Sequence, residues 1–157
     1  MSIEFKHILF PTDFSDLSVQ AVPYVRHLAT MFGARIHCIH IVDEAFQYWS
    51  AMGPESVPVQ PAMDDLLDAG KTRLHRLVTE QLADVTPPPI MHVAVGRPFA
   101  EIIGYARRND VDLIVMATHG RGAIAHVLLG STTEKVVRKA PCAVMTIRNR
   151  PEDFVMP

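Results

Sequence analysis

Five short apolar runs, separated by stretches of helical periodicity, constrain this chain more than any other feature. The runs cover residues 6–11, 35–42, 90–95, 113–117 and 142–147. In the second, Ile36, Cys38, Ile39, Ile41 and Val42 are almost continuously apolar. Such a run suits a strand covered on both faces, as in a parallel sheet. Between the runs, apolar residues recur with helical spacing. Val19, Val22, Val25, Leu28 and Ala29 mark one helix over 16–32, which Pro23 should kink or restart and Gly33 should end. Leu66, Leu67, Ala69, Leu74, Leu77, Val78 and Leu82 mark a second over 64–83, and further helices are predicted over 99–109 and 132–139. Strand and helix in alternation predict an α/β fold: a single doubly wound sheet of five mainly parallel strands, with helices on both faces. In such sheets a ligand sits beyond the carboxyl ends of the strands, where the strand order reverses.

Three loops leave those ends with polar or glycine content: 11–15, 42–43 and 117–132. The last is the richest in chemistry. It runs through Ala117, Thr118, His119, Gly120, Arg121 and Gly122 to Gly130, Ser131, Thr132 and Thr133. Glycine lets a backbone approach a ligand closely. Ser131 and Thr132 are good helix N-cap residues. The helix they open offers free N–H groups and partial positive charge, which suit a phosphate. A glycine-bearing loop between strand and helix also occurs in α/β proteins that bind no phosphate, so this physics leaves both readings open. The loop is not a Walker P-loop, because no lysine follows Gly130. Nor is it a dinucleotide fingerprint, because Ala125 stands where the third glycine belongs.

Composition narrows the classes further. A chain of 157 residues that is 48% hydrophobic fits one ordinary domain with a sizeable core. Net charge is −2 and the pI is about 6.4, so no basic field draws in nucleic acid. No apolar run approaches the roughly 20 residues that span a bilayer, and the first residues lack a signal-peptide pattern. The expectation is a cytoplasmic protein with no membrane or nucleic-acid partner. Cys38 and Cys142 read as small buried hydrophobes. The eight histidines are scattered without zinc spacing, and His37 and His40 point to opposite faces of one strand, so no metal site is expected. Residues 43–63 break the rhythm with Phe46, Tyr48, Trp49, Met52 and three prolines. They read as an irregular insertion: a lid or contact surface, or a loop whose aromatics fold back on the body.

The chain resembles the universal stress protein family over nearly its whole length. The resemblance rests on Ile8-Leu9-Phe10-Pro11-Thr12-Asp13-Phe14-Ser15, on Gly96-Arg97-Pro98, and on Asp112 through Gly120. Leu128-Leu129-Gly130-Ser131-Thr132-Thr133-Glu134-Lys135-Val136 and Ala140-Pro141-Cys142-Ala143-Val144 complete it. It implies a Rossmann-like sheet of the adenine nucleotide alpha hydrolase kind over 1–148; residues 149–157 read by themselves as a polar, mobile tail. The family's ATP-binding members carry Gly-x-x-Gly, nine residues, then Gly-Ser/Thr. Here Gly120, Gly130 and Ser131 match, and Ala117 replaces the first glycine.

The resemblance implies a regulatory, stress-response protein that binds ATP, with or without Mg²⁺, or another adenine nucleotide. Pro11, Thr12 and Asp13 would line the adenosine end, and Val42 would meet the base through its backbone. Met116 and Ala117 would flank base and ribose. Gly120, Gly130, Ser131 and Thr132 would contact phosphates, with His119 and Arg121 near enough to add charge or to stay solvated. It also implies a homodimer through residues 142–148, and a further protein partner of unstated identity. No catalytic dyad is evident, so binding is favoured over slow ATP hydrolysis. A nucleotide-free interaction dimer is the remaining alternative.

Overall fold

The computed structural model describes residues 2–45, 62–119 and 129–148. Five strands and five helices are described: β1 (His7–Pro11), α1 (Asp16–Val19), α2 (Val22–Phe32), β2 (Arg35–Asp43), α3 (Met63–Gln81), β3 (Ile90–Gly96), α4 (Pro98–Arg108), β4 (Leu113–Ala117), α5 (Ser131–Lys139) and β5 (Ala143–Ile147). The strands form one sheet in the order β3-β2-β1-β4-β5, and every neighbouring pair is parallel. The doubly wound sheet expected from the sequence is present. Most of the irregular insertion expected over 43–63, residues 46–61, and the mobile tail fall outside the described residues; Asp43 ends β2 and Met63 opens α3.

Alternation of side chains along each strand builds two cores. On one face Ile8 and Phe10, Ile36 and Cys38, and Leu113 and Val115 meet Val22, Val25 and Ala29 of α2 and Leu74, Leu77 and Val78 of α3. On the other face Leu9, Ile39, Ile114 and Met116 meet Ile102, Tyr105 and Ala106 of α4 and Val136 of α5. β4 is buried along its whole length, which explains its unbroken apolar run. β3 and β5 form the two edges; Ile90 and Met91 of β3 and Met145 of β5 remain exposed.

The expected helix over 16–32 is two helices. Ser15 caps the first, its Oγ accepting from the Ser18 amide at 3.2 Å. The chain restarts at Val22 with Pro23 in the opening turn, where a missing N–H costs nothing. Gly33 ends α2 in the left-handed conformation at φ 63°, donating its amide to the Ala29 carbonyl. The last helix also differs: its N-cap is Gly130, and no side chain caps it. Ser131 and Thr132 lie inside the first turn, so neither serves as the cap their residue types suggested.

His37 is a buried polar residue in the middle of the sheet. Its Nε2 lies 3.0 Å from His7 Nδ1 and its Nδ1 lies 2.9 Å from the Tyr105 hydroxyl. Both ring nitrogens are thus occupied, one as donor and one as acceptor, for either tautomer. His40 points to the opposite face, where its Nδ1 lies 2.8 Å from the Thr12 carbonyl. Cys38 and Cys142 are free thiols; burial pushes the Cys38 thiol up to about 12, which keeps it protonated and inert.

Candidate nucleotide site

β1 lies between β2 and β4, and the chain leaves β1 toward β2 but leaves β4 toward β5. The strand order therefore reverses between β1 and β4, and their carboxyl ends open the crevice that α/β sheets use for ligands. Pro11 is the buried last residue of β1, and Thr12 and Asp13 follow directly. Thr12 continues the sheet by donating its amide to the Ile39 carbonyl at 2.9 Å. Its Oγ1 accepts from the Phe14 amide at 3.0 Å and lies 2.8 Å from Ser18 Oγ. Asp13 is half-buried, and its Oδ1 accepts from both the amide and the hydroxyl of Ser15, at 3.0 and 2.5 Å. These bonds fix the loop before any ligand arrives.

Beyond β4, Thr118 is buried and donates its amide to the Ile147 carbonyl at 3.0 Å, extending the β4–β5 ladder. Its own carbonyl accepts from the Gly130 amide at 2.7 Å. That bond brings the start of α5 back onto the end of β4. Thr133 makes a second fastening, its buried hydroxyl donating to the Ala117 carbonyl at 3.0 Å. The amino end of α5 is thereby held against the carboxyl end of β4, next to β1. A helix leaves its first N–H groups without intrahelical partners, and here they belong to Ser131, Thr132 and Thr133.

The expected site residues divide clearly. Pro11, Thr12 and Asp13 stand at the end of β1, Ala117 and His119 at or just beyond the end of β4, and Gly130, Ser131 and Thr132 at the start of α5. Val42 is buried next to the end of β2, one strand away from the crossover. Met116 belongs to the core beneath α4 and α5, so its side chain is committed to packing. His119 is half-buried, with Nδ1 3.2 Å from Thr118 Oγ1. Gly120 and Arg121 lie outside the described residues.

Sequence reasoning missed Thr118 and Thr133 as the clamps of the loop. Their signal was present: two threonines that bracket the glycine loop and come out buried. Replacing Thr133 with valine keeps the shape and removes the hydroxyl. The expected result is a loss of about 1 kcal/mol, read as a lower urea midpoint at an unchanged m-value.

The parallel order, the reversal between β1 and β4 and the clamped helix start define a doubly wound α/β protein with a candidate ligand site at the strand ends. Within that class, the universal stress protein family model matches residues 4–148, and the chain belongs to this family. Universal stress protein MJ0577 of Methanocaldococcus jannaschii is 27% identical over 96% of this chain and 99% of its own. The solved structure of MJ0577 aligns with a TM-score of 0.80, covering 96% of this chain and 100% of that one. A universal stress protein of Thermus aquaticus is 31% identical over 92% of this chain and 99% of its own. UspA from Lactobacillus plantarum aligns with a TM-score of 0.74 at 27% identity, over 94% of this chain and 100% of that one. A universal stress protein solved with cAMP, 21% identical with a TM-score of 0.60, shares the fold. So does one from Archaeoglobus fulgidus solved with dAMP, 16% identical with a TM-score of 0.59. Among the described residues, no helix is long and apolar enough to cross a membrane.

Proposed function

We propose that this protein is a nucleotide-binding regulatory member of its family, holding ATP or another adenine nucleotide at the carboxyl ends of β1 and β4. One observation carries the reading. The start of α5 has no side-chain cap, and two bonds, Gly130 amide to Thr118 carbonyl and Thr133 hydroxyl to Ala117 carbonyl, fasten it at the crossover. Its first-turn amides, which have no intrahelical acceptor, and its partial positive charge suit a phosphate group. The Thr12–Asp13 backbone, across the strand reversal, suits the adenosine end. Adenine nucleotides are favoured because two proteins of the same fold were solved with cAMP and dAMP. A Mg²⁺ ion here would be held mainly by phosphate oxygens, since Mg²⁺ needs few protein ligands. Binding is favoured over turnover because Asp13, the carboxylate nearest the end of β1, directs Oδ1 to its own loop through Ser15.

The test is to denature purified protein and identify what it releases by chromatography and mass spectrometry. The expected result is ATP or ADP approaching one per chain, or micromolar titration of emptied protein with ATP and Mg²⁺. No release and no heat of binding would refute the reading and favour a nucleotide-free interaction protein.

The same reading includes a homodimer through β5. This strand is a sheet edge, and Met145 on it is exposed. An unpaired edge invites strand pairing, and pairing with its own copy closes a two-fold dimer. Sedimentation equilibrium at micromolar concentration should give twice the 17.5 kDa chain mass. A monomer mass would refute the dimer.

A further inference from the structure

Phe14 stands where few bulky residues stand, in the left-handed region at φ 63°. Such a conformation persists only when its surroundings over-determine it. Three elements do so here. The His40 ring of β2 packs against the Phe14 ring with centroids 4.4 Å apart. The Arg73 guanidinium of α3 lies over the Phe14 ring, 4.5 Å from its centroid. The Phe14 amide donates to Thr12 Oγ1. His40 in turn reaches the same residue, its Nδ1 2.8 Å from the Thr12 carbonyl. Arg73, Phe14 and His40 thus form a stack in which Phe14 and His40 both bond to Thr12. Gly70 makes the room for it. A Cβ there would lie 3.1 Å from His40 Cδ2 and 3.2 Å from Val93 Cγ1.

We propose that the Arg73–Phe14–His40 stack is the positioning element of the nucleotide loop, through which α3 sets how the Thr12–Asp13 backbone meets adenosine. This rests on the nucleotide reading above and extends it to residues that touch no ligand. Thr12 sits at the end of a rigid central strand, and its amide is already committed to Ile39. The course of the chain after it is held by the Asp13–Ser15 bonds and by the packing of the Phe14 ring. A bound nucleotide that fits the present loop therefore favours the stacked position of α3. A partner that displaced α3 would weaken nucleotide binding in return, because the coupling is reciprocal.

Four variants test this: Phe14→Asn, Arg73→Gln, Arg73→Lys and Gly70→Ala. Each is measured by ATP titration, by hydrogen exchange of the Thr12 and Phe14 amides, and by thermal melting. Asparagine tolerates the left-handed backbone but lacks the ring. Phe14→Asn should weaken ATP binding about five- to tenfold, the worth of an aromatic pair plus a cation–π contact, and speed exchange of both amides. Arg73→Gln should give roughly a threefold loss, restored by Arg73→Lys, which keeps the cation. Gly70→Ala improves helix propensity, yet should weaken ATP binding by pushing His40 off Thr12. Unchanged exchange and affinity in Phe14→Asn would overturn the proposal and leave the nucleotide reading standing. Lower melting temperatures with unchanged affinity would also overturn it, since they mark a stack that serves stability alone. Wild-type protein that binds no adenine nucleotide, while Phe14→Asn still loosens the loop, would refute the nucleotide reading and the ligand role of the stack with it.

Discussion

Replacing Gly130 with aspartate should abolish ATP binding while leaving the protein folded and slightly more stable. Gly130 sits at φ −65° and ψ 157°, a conformation open to any residue, so the substitution strains nothing in the backbone. It also sits at an N-cap that no side chain fills. Aspartate is among the best N-cap residues, and gains a few tenths of a kcal/mol over glycine there. Its carboxylate would accept from the amides of the first turn, which are the groups assigned here to phosphate. The new charge would also repel an incoming anion. The affinity for ATP should fall by more than about 100-fold, beyond the loss of one charge-assisted hydrogen bond, while the melting temperature stays level or rises. Gly130→Ala serves as the control: it adds bulk without the carboxylate and should cost far less. Equal ATP affinity in wild type and Gly130→Asp would remove α5 from the site.

The second large effect is acid destabilisation through His37. Burial is the main cause that holds its pKa down at about 4 rather than 6.5, followed by the charges of His7 and Arg35. The unfolded chain therefore takes up this proton first. The contribution is fully present above pH 6.5 and is lost as the pH falls toward 4. By pH 4 the loss from this one group is roughly 3 kcal/mol, a large share of the roughly 5–15 kcal/mol that stabilises an ordinary domain. The groups that face the ring are His7 from β1 and Tyr105 from α4, with the His92 ring of β3 next to Tyr105. Urea unfolding at pH 7 and pH 4 should show the loss in wild type, and His37→Gln should remove most of it. Glutamine stays neutral while still offering a donor and an acceptor. An equal pH dependence in the two proteins would show that other groups carry the acid transition.

Period and punctuation placed the elements. Leu113–Ala117 was legible as a buried strand because all its residues are apolar. Gly33 and Pro23 marked a helix end and a helix start, because their own backbones restrict what can happen there. The loops at the carboxyl ends followed from the alternation of strand and helix. Side-chain pairing across the fold was not legible. His37 looked like one scattered histidine among eight. Its partners lie 30 and 68 residues away, and neither spacing carries a local signal. The N-cap was misread for a related reason. Ser131 and Thr132 have the right chemistry, but the Gly130–Thr118 bond decides where the helix begins. Phe14 gave no warning either, since its conformation is imposed by β2 and α3 together.

The position of β1 also sets a schedule for the growing chain on the ribosome. β1 is made first, yet it ends in the middle of the sheet, with β2 on one side and β4 on the other. Its pairing with β2 is available after about residue 43, but Ile8 and Leu9 pair with Leu113 and Ile114. The amides of Lys6 and His7 likewise wait for the Asp112 carboxylate. At synthesis rates of roughly 5–20 residues per second, the nascent β1–β2 pair carries an open, apolar edge for on the order of ten seconds. The fold thus closes late and from its centre: the first strand made completes its pairing only when β4 arrives.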